Sequence, residues 1–178
     1  FKDLSTTTIC RAALKESKAW CPGQLTMEIV QDLRTFVTYM LRTYHDLPFH
    51  NFRHAYHVTI SANKLIDLML CTEHSNRREP HSPKPPTFGL RDDPFALAAL
   101  MFAALIHDAE HKGIANRRMV EERHELALLY NDQSIHEQRS LYLAFEEFLK
   151  DDYADLRKVM FPDAEDYRDF RMAVVNMV

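Results

Sequence analysis

The sequence predicts an all-α fold, a multi-helix bundle, and three observations carry that expectation. Only three of the 178 residues are glycine, too few for the many tight turns of an all-β chain. Apolar residues recur at helical spacing in one segment after another, and no stretch alternates convincingly as a strand does. The breaks between segments carry helix punctuation, as at Pro48 and the Asp93-Pro94 pair. The length suits one domain, residues 1–178, with a real core.

Residues 1–25 are mixed and end in a Cys-Pro-Gly turn signal. A helix follows from Thr26, because Ile29, Val30, Leu33, Phe36, Val37, Met40 and Tyr44 repeat at helical spacing. Pro48 interrupts, and Phe49-His50-Asn51-Phe52 occupies the break. The next helix covers about residues 53 to 70 and sets His54, Val58, Leu65 and Met69 on one face. Residues 72–93 form a charged loop with four of the eight prolines; its length predicts an exposed segment.

Asp93 is placed to cap the following helix, with Pro94 at its first position. That helix is apolar on every side, as a central bundle helix should be. It falls well short of the ~20 residues that span a bilayer, and it ends at His107-Asp108. Asn116 is positioned to cap a short helix. Ser134 is positioned to cap the next, with Leu141, Ala144, Phe145 and Phe148 inward. A last helix follows "FPDAED". Its final residues, "MAVVNMV", are apolar with no capping signal, so further chain is expected beyond Val178.

Hydrophobic residues make up 46% and charged residues 27%, the balance of an ordinary globular protein. A net charge of −4 gives no electrostatic reason to expect nucleic acid or an anionic membrane as partner. Cys10, Cys21 and Cys71 form no C-x-x-C pair and read as thiols in a reducing compartment. No signal-peptide pattern opens the sequence. The expected location is the cytoplasm, or the cytosolic part of a larger, membrane-associated protein.

Two histidine pairs stand out: His50 with His54, and His107 with His111, the second interrupted by Asp108. Side chains four apart on a helix share a face, so two imidazoles can converge on one ion, or one can bind while its neighbour acts on substrate. Adjacent helical residues point ~100° apart. His107 and Asp108 can therefore share an ion only in a notch, such as a helix end provides. The two oxygens of Asp108 could also bridge two ions, as in two-metal hydrolytic sites. Histidine plus carboxylate suits Zn2+ at the first position. One carboxylate with several waters suits Mg2+ or Mn2+ at the second.

Three blocks, "FHNFRHAYHV" (49–58), "LIHDAEHKGIAN" (105–116) and "ELALLYNDQSIHEQ" (125–138), fall in a fixed order. They resemble the signature of the class I, mammalian-type cyclic nucleotide phosphodiesterase catalytic domain, of the HD superfamily. The resemblance runs from about residue 26 to 178, the N-terminal and middle part of such a domain. It implies an all-α bundle of that type and hydrolysis of the 3′ ester of cAMP and/or cGMP to 5′-nucleoside monophosphates. It implies two divalent ions, with His54, His107 and Asp108 as ligands and Asp108 bridging. His50 would be the general acid that protonates the leaving 3′ oxygen. His111, Asn116 and Glu137 would hold metal-bound water, and Tyr130, Asn131 and Asp132 would support the pocket. Regulatory domains or a homodimer would lie outside the chain. The family's fourth ligand, a downstream aspartate, and its base-reading glutamine fall past residue 178.

Bland readings stand beside these. His50 also reads as a turn residue, His111 as a helix-end residue and Asn116 as an N-cap. Ser134-x-x-Glu137 reads as a capping box as readily as Glu137 reads as a water holder. His57, Glu110, Lys112, Gln138, Arg139, Ser140 and Asn176 depart from the family pattern, threatening the rate and the second ion more than the first. His45, His57, His74, His81, His124 and His136 find no role. Two other functions stay open. One is another HD-type phosphohydrolase, against which the "YND" and "FHN" blocks argue. The other is a non-catalytic metal- or nucleotide-binding regulatory module, which the departures at His57, Arg139 and Asn176 favour.

Overall fold

A computed structural model describes residues 26–70 and 93–178. The Cys-Pro-Gly turn and the proline-rich loop up to residue 92 lie outside the described residues. Among the described residues every regular element is helical.

Helix α1 spans Met27–Thr43, and the Thr26 hydroxyl accepts the Ile29 N–H at 3.4 Å. Its inward stripe is Ile29, Phe36 and Met40, spaced by seven and four residues as one helical face requires. Helix α2 spans Phe52–Leu70. It starts where Asn51 Oδ1 accepts the His54 N–H at 3.0 Å, an N-terminal cap.

The expected face of α2 holds at Met69, which packs against Ile66, Leu97 and Met101, but is off by one position at Leu65. Leu65 is 59% exposed, whereas Ala55, Thr59 and Ile66 are buried. The physical reason is close approach: Ala55, Thr59 and Ala62 present little bulk to the neighbouring helix, and His54 is left on the flanking stripe.

Helix α3, Pro94–Ile106, packs most extensively against α2 and the last helix. Its start follows the sequence: Asp93 Oδ1 accepts the Ala96 N–H at 2.8 Å, with Pro94 beginning the helix. Leu97, Ala98, Ala99, Met101, Ala103, Ala104 and Ile106 are buried, so this is the central helix. Asp93→Ala is expected to cost about 1 kcal/mol through loss of that cap, read as a lower urea midpoint with an unchanged slope.

Two short helices, α4 (Asn116–Glu121) and α5 (Glu125–Leu129), lead into α6 (Ile135–Phe148). A 3-10 turn (Asp151–Tyr153), α7 (Ala154–Met160) and α8 (Ala164–Met177) complete the order. Two capping expectations are corrected. Ala115, not Asn116, precedes α4, and Asn116 is its first residue. Ser134 sits in the left-handed region at φ 39° and its side chain caps nothing, so the Ser134-Glu137 capping box does not form. The last helix starts earlier than "FPDAED" suggests, because Asp163 and Asp166 make a reciprocal capping box.

The main core is aromatic. Phe36 stacks on Phe102 at 5.3 Å and meets Phe148 edge-on at 5.4 Å. Phe102 meets Phe170 at 5.4 Å, and Phe170 meets Phe161 at 4.8 Å. Leu141, Ala144, Phe145 and Phe148 point inward from α6 as expected. A smaller cluster of Met119, Leu126, Ala127 and Ile135 seats α4 and α5 against the start of α6. That cluster fixes where the end of α3 meets α6.

Candidate metal centre

Helix α3 runs out at Ile106, and His107 still donates its backbone N–H to Ala103 O at 3.0 Å. The chain then turns, so His107 and Asp108 leave the helix end together and form the notch that the sequence requires. His54 reaches the same place from α2. His54 Nε2 lies 3.7 Å and His107 Nε2 3.2 Å from Asp108 Oδ2. One ligand atom from each of the three residues falls within 4.8 Å of the others. Ligands on one tetrahedral ion at ~2.0–2.2 Å must lie roughly 3.4 Å apart. Two imidazole nitrogens and a carboxylate oxygen at these separations can hold a divalent ion.

The charge states of Asp108 and His54 agree with that fit. Burial pushes the Asp108 carboxyl up, but hydrogen bonds from His107 and His50 outweigh it and hold Asp108 well below the usual carboxylate range. Asp108 is thus anionic with only 13% of its side chain exposed. Burial, helped by the neighbouring His107, lowers His54 despite the pull of Asp108; a neutral imidazole is what ligation needs. Burial also lowers His107, but its bond to Asp108 more than reverses this and raises it. Tyr44 braces the helix end from behind, donating its hydroxyl to Leu105 O at 2.7 Å.

His50, in the break before α2, sits beside this set with Nδ1 3.0 Å from Asp108 Oδ2. Phe49, 61% exposed, lies against both His54 and His50, with ring centroids 4.5 Å and 5.0 Å away. His111 stacks on His50 at 3.8 Å. The Gly113 N–H donates to His111 Nδ1 at 2.9 Å, which leaves the proton of a neutral His111 on Nε2. Neither His111 nitrogen then offers a free lone pair to an ion. Gly113 can do this because its φ is +75° and a Cβ there would meet Leu47 at 3.1 Å. Burial, with the neighbouring His136 and His50, pushes His111 down to about 4.

Asn116 and Glu137 meet directly: Asn116 Nδ2 donates to Glu137 Oε2 at 2.9 Å. Asn116 Oδ1 accepts the His136 backbone N–H at 3.2 Å. The glutamate therefore faces α4 instead of its own helix start. Ser140, fully buried, shares its one hydroxyl proton between Glu137 O at 3.0 Å and His107 O at 3.2 Å, tying α6 to the end of α3. Ser140→Ala is expected to lower stability by about 1 kcal/mol, measured by urea denaturation, because the His107 carbonyl loses this donor.

Tyr130, Asn131 and Asp132 lie on the turn between α5 and α6. Asn131 and Asp132 are exposed, in left-handed conformations at φ 52° and 61°. Tyr130 packs against the Met119 cluster. Of the three, only Tyr130 is packed inward.

Among the departing residues, Glu110, Lys112 and Arg139 are partnered with one another. Glu110, at φ 61°, pairs with Arg139 Nε and lies 3.6 Å from Lys112 Nζ. Its backbone N–H donates to Thr43 O at 3.1 Å. His45 Nε2 is 3.5 Å from Lys112 Nζ. His57 and Asn176 are exposed, and the His124 ring accepts the Leu126 N–H. His136 is not idle: it stacks on the far side of His111, and nothing in the local sequence signals this. Asn51 did carry a signal, as a cap residue just after a proline break.

Fold and cluster together define a helical domain built around a candidate metal centre. The family described as 3'5'-cyclic nucleotide phosphodiesterase matches residues 49–178. A Caenorhabditis elegans protein named probable 3',5'-cyclic-AMP phosphodiesterase pde-4 is 33% identical over 156 residues, covering 86% of this chain and 20% of its own length. A human high affinity cAMP-specific and IBMX-insensitive 3',5'-cyclic phosphodiesterase 8A is 37% identical over 86 residues, 48% of this chain and 10% of that protein. The solved phosphodiesterase domain of the Salpingoeca rosetta rhodopsin phosphodiesterase superposes with a TM-score of 0.63 at 27% identity, covering 98% of this chain and 51% of that one.

The chain belongs to the 3'5'-cyclic nucleotide phosphodiesterase family. It spans about a fifth of the length of the worm relative and about half of the solved domain. Membership implies dependence on divalent metal, and the His/Asp cluster can hold it. No helix among the described residues is long and apolar enough to cross a membrane.

Proposed function

We propose that the protein hydrolyses the 3′ ester of 3',5'-cyclic nucleotides, cAMP and/or cGMP, to 5′-nucleoside monophosphates. The observation that carries this reading is the convergence of His54, His107 and Asp108, with His50 hydrogen-bonded at its edge. His54, His107 and Asp108 would hold a first ion, Zn2+, and Asp108 would also help to hold a second, Mg2+ or Mn2+. When bound, the ions offset the phosphate's negative charge and supply water acidic enough to attack.

The chain's own residues do the rest. His50 gives Nδ1–H to Asp108, so the proton passed to the leaving 3′ oxygen is carried at Nε2. His111, with its proton at Nε2, and the Asn116-Glu137 pair would hold water at the site. Tyr130, Asn131 and Asp132 would support the pocket. The names of the relatives, all cyclic nucleotide phosphodiesterases, support the substrate class. Cysteine usage supports a cytosolic setting, with regulatory domains or a second copy as partners.

The test is hydrolysis of cAMP and cGMP by metal-stripped protein before and after Zn2+ and Mg2+ are restored. Activity that returns with metal is expected. Bound metal without turnover of either nucleotide overturns the reading in favour of a regulatory module. Turnover of a nucleoside triphosphate or phosphomonoester instead points to another phosphohydrolase.

A further inference from the structure

We propose that His136 is a positioning residue: as the third ring of a stacked imidazole column, it holds His111, and through it His50, in the orientation from which His50 delivers its proton. The proposal rests on the general-acid reading of His50 above.

The column is continuous. The ring centroids of His50 and His111 are 3.8 Å apart with 15° between planes, and those of His111 and His136 are 3.8 Å apart with 19°. Its three rings come from three separate stretches: the break before α2, the turn after α3, and the start of α6. Its base is fixed. His136 is 4% exposed, its Nε2 lies 2.8 Å from Ile114 O, and its backbone N–H is held by Asn116. The middle ring is held edge-on by the Gly113 N–H. His50 at the top is held by one hydrogen bond, to Asp108, by the face of His111 and by a T-shaped contact with Phe49.

His136 also buries Nδ1 without a hydrogen-bond partner. A leucine at this site would avoid that cost, since an unsatisfied buried polar atom destabilises. What a histidine adds over leucine is a flat face together with a donor for Ile114 O. Parallel rings in contact restrict tilting of the ring between them, and a small misplacement of a proton donor is expensive in rate.

Two variants separate the face from the donor. His136→Gln keeps an N–H for Ile114 O and loses the ring; His136→Phe keeps a ring and loses the donor. Turnover is expected to follow the ring. His136→Gln should lower kcat about tenfold, at the low end for an outer partner of a metal site, with KM and metal content unchanged. His136→Phe should retain kcat within about threefold, because stacking survives.

In NMR spectra of histidine-labelled protein, the ring protons of His111 should move downfield in His136→Gln, those of His50 should follow, and those of His54 should stay. The opposite order of turnover, with Gln active and Phe impaired, overturns the proposal. So do unmoved His111 and His50 resonances in His136→Gln, or loss of the folded state in both variants. If His50→Ala keeps full turnover while the ring-proton shifts behave as stated, the general-acid reading fails and the column stands.

Discussion

Asp108→Asn is expected to abolish most turnover and to lose the second ion while the helical circular dichroism spectrum stays that of the parent protein. The substitution is nearly isosteric and removes one charge. That charge is what three imidazole nitrogens surround, at 3.0, 3.2 and 3.7 Å from Oδ2. An amide offers one acceptor oxygen and an N–H, so it cannot present two anionic oxygens to two cations. Loss of a hydrogen-bond partner outside the ligand shell costs about 10–100-fold in metal affinity or activity; loss of a shared ligand should exceed that range. Metal analysis after dialysis, alongside cyclic nucleotide turnover, reads both effects. Retention of two ions would remove the bridging role. An unfolded variant would make Asp108 a structural residue, although α3 is already capped by a backbone bond at His107 and braced by Tyr44.

His50→Ala should behave differently, and the difference is diagnostic. Removing a general acid typically costs on the order of 10²–10⁴-fold in rate. His50 lies outside the His54-His107-Asp108 set, although with Asp108 and His111 it forms a second group that could hold an ion; as a general acid and not a ligand, its loss should leave metal content unchanged and move KM little. A substrate whose leaving group needs no proton, such as bis-p-nitrophenyl phosphate, should be hydrolysed by the variant nearly as well as by the parent. An equal loss on both substrates would mean that His50 does something other than donate a proton. Asp108→Asn, in contrast, should impair both substrates together.

The sequence made some features plain and hid others, for identifiable reasons. Thr26, Asp93 and Pro94 mark helix starts because those interactions are local, within three residues. Ser134 misled for the converse reason. Its capping pattern with Glu137 is also local, but Asn116 lies 21 residues away in sequence and takes the carboxylate, while Ser134 turns left-handed. The inner face of α2 slipped by one at Leu65 because small residues, Ala55 and Thr59, face a close neighbour, and bulk alone pointed to that leucine. The convergence of His54, His107 and Asp108 showed itself through spacing and motif order. His136 did not, since its role comes from stacking on a residue 25 positions earlier that no periodicity connects to it.

The turn after His107 and Asp108 has one more consequence. Glu110 is fastened at its backbone to the end of α1 and at its carboxylate to Arg139 on α6. A shorter acid at 110 would fall one methylene short of that guanidinium, and an imidazole at 139 could not close the gap. Drift at these two positions should therefore be correlated across descendants of this lineage, glutamate travelling with arginine, so that neither can be exchanged alone without loosening the hinge on which His107 and Asp108 sit.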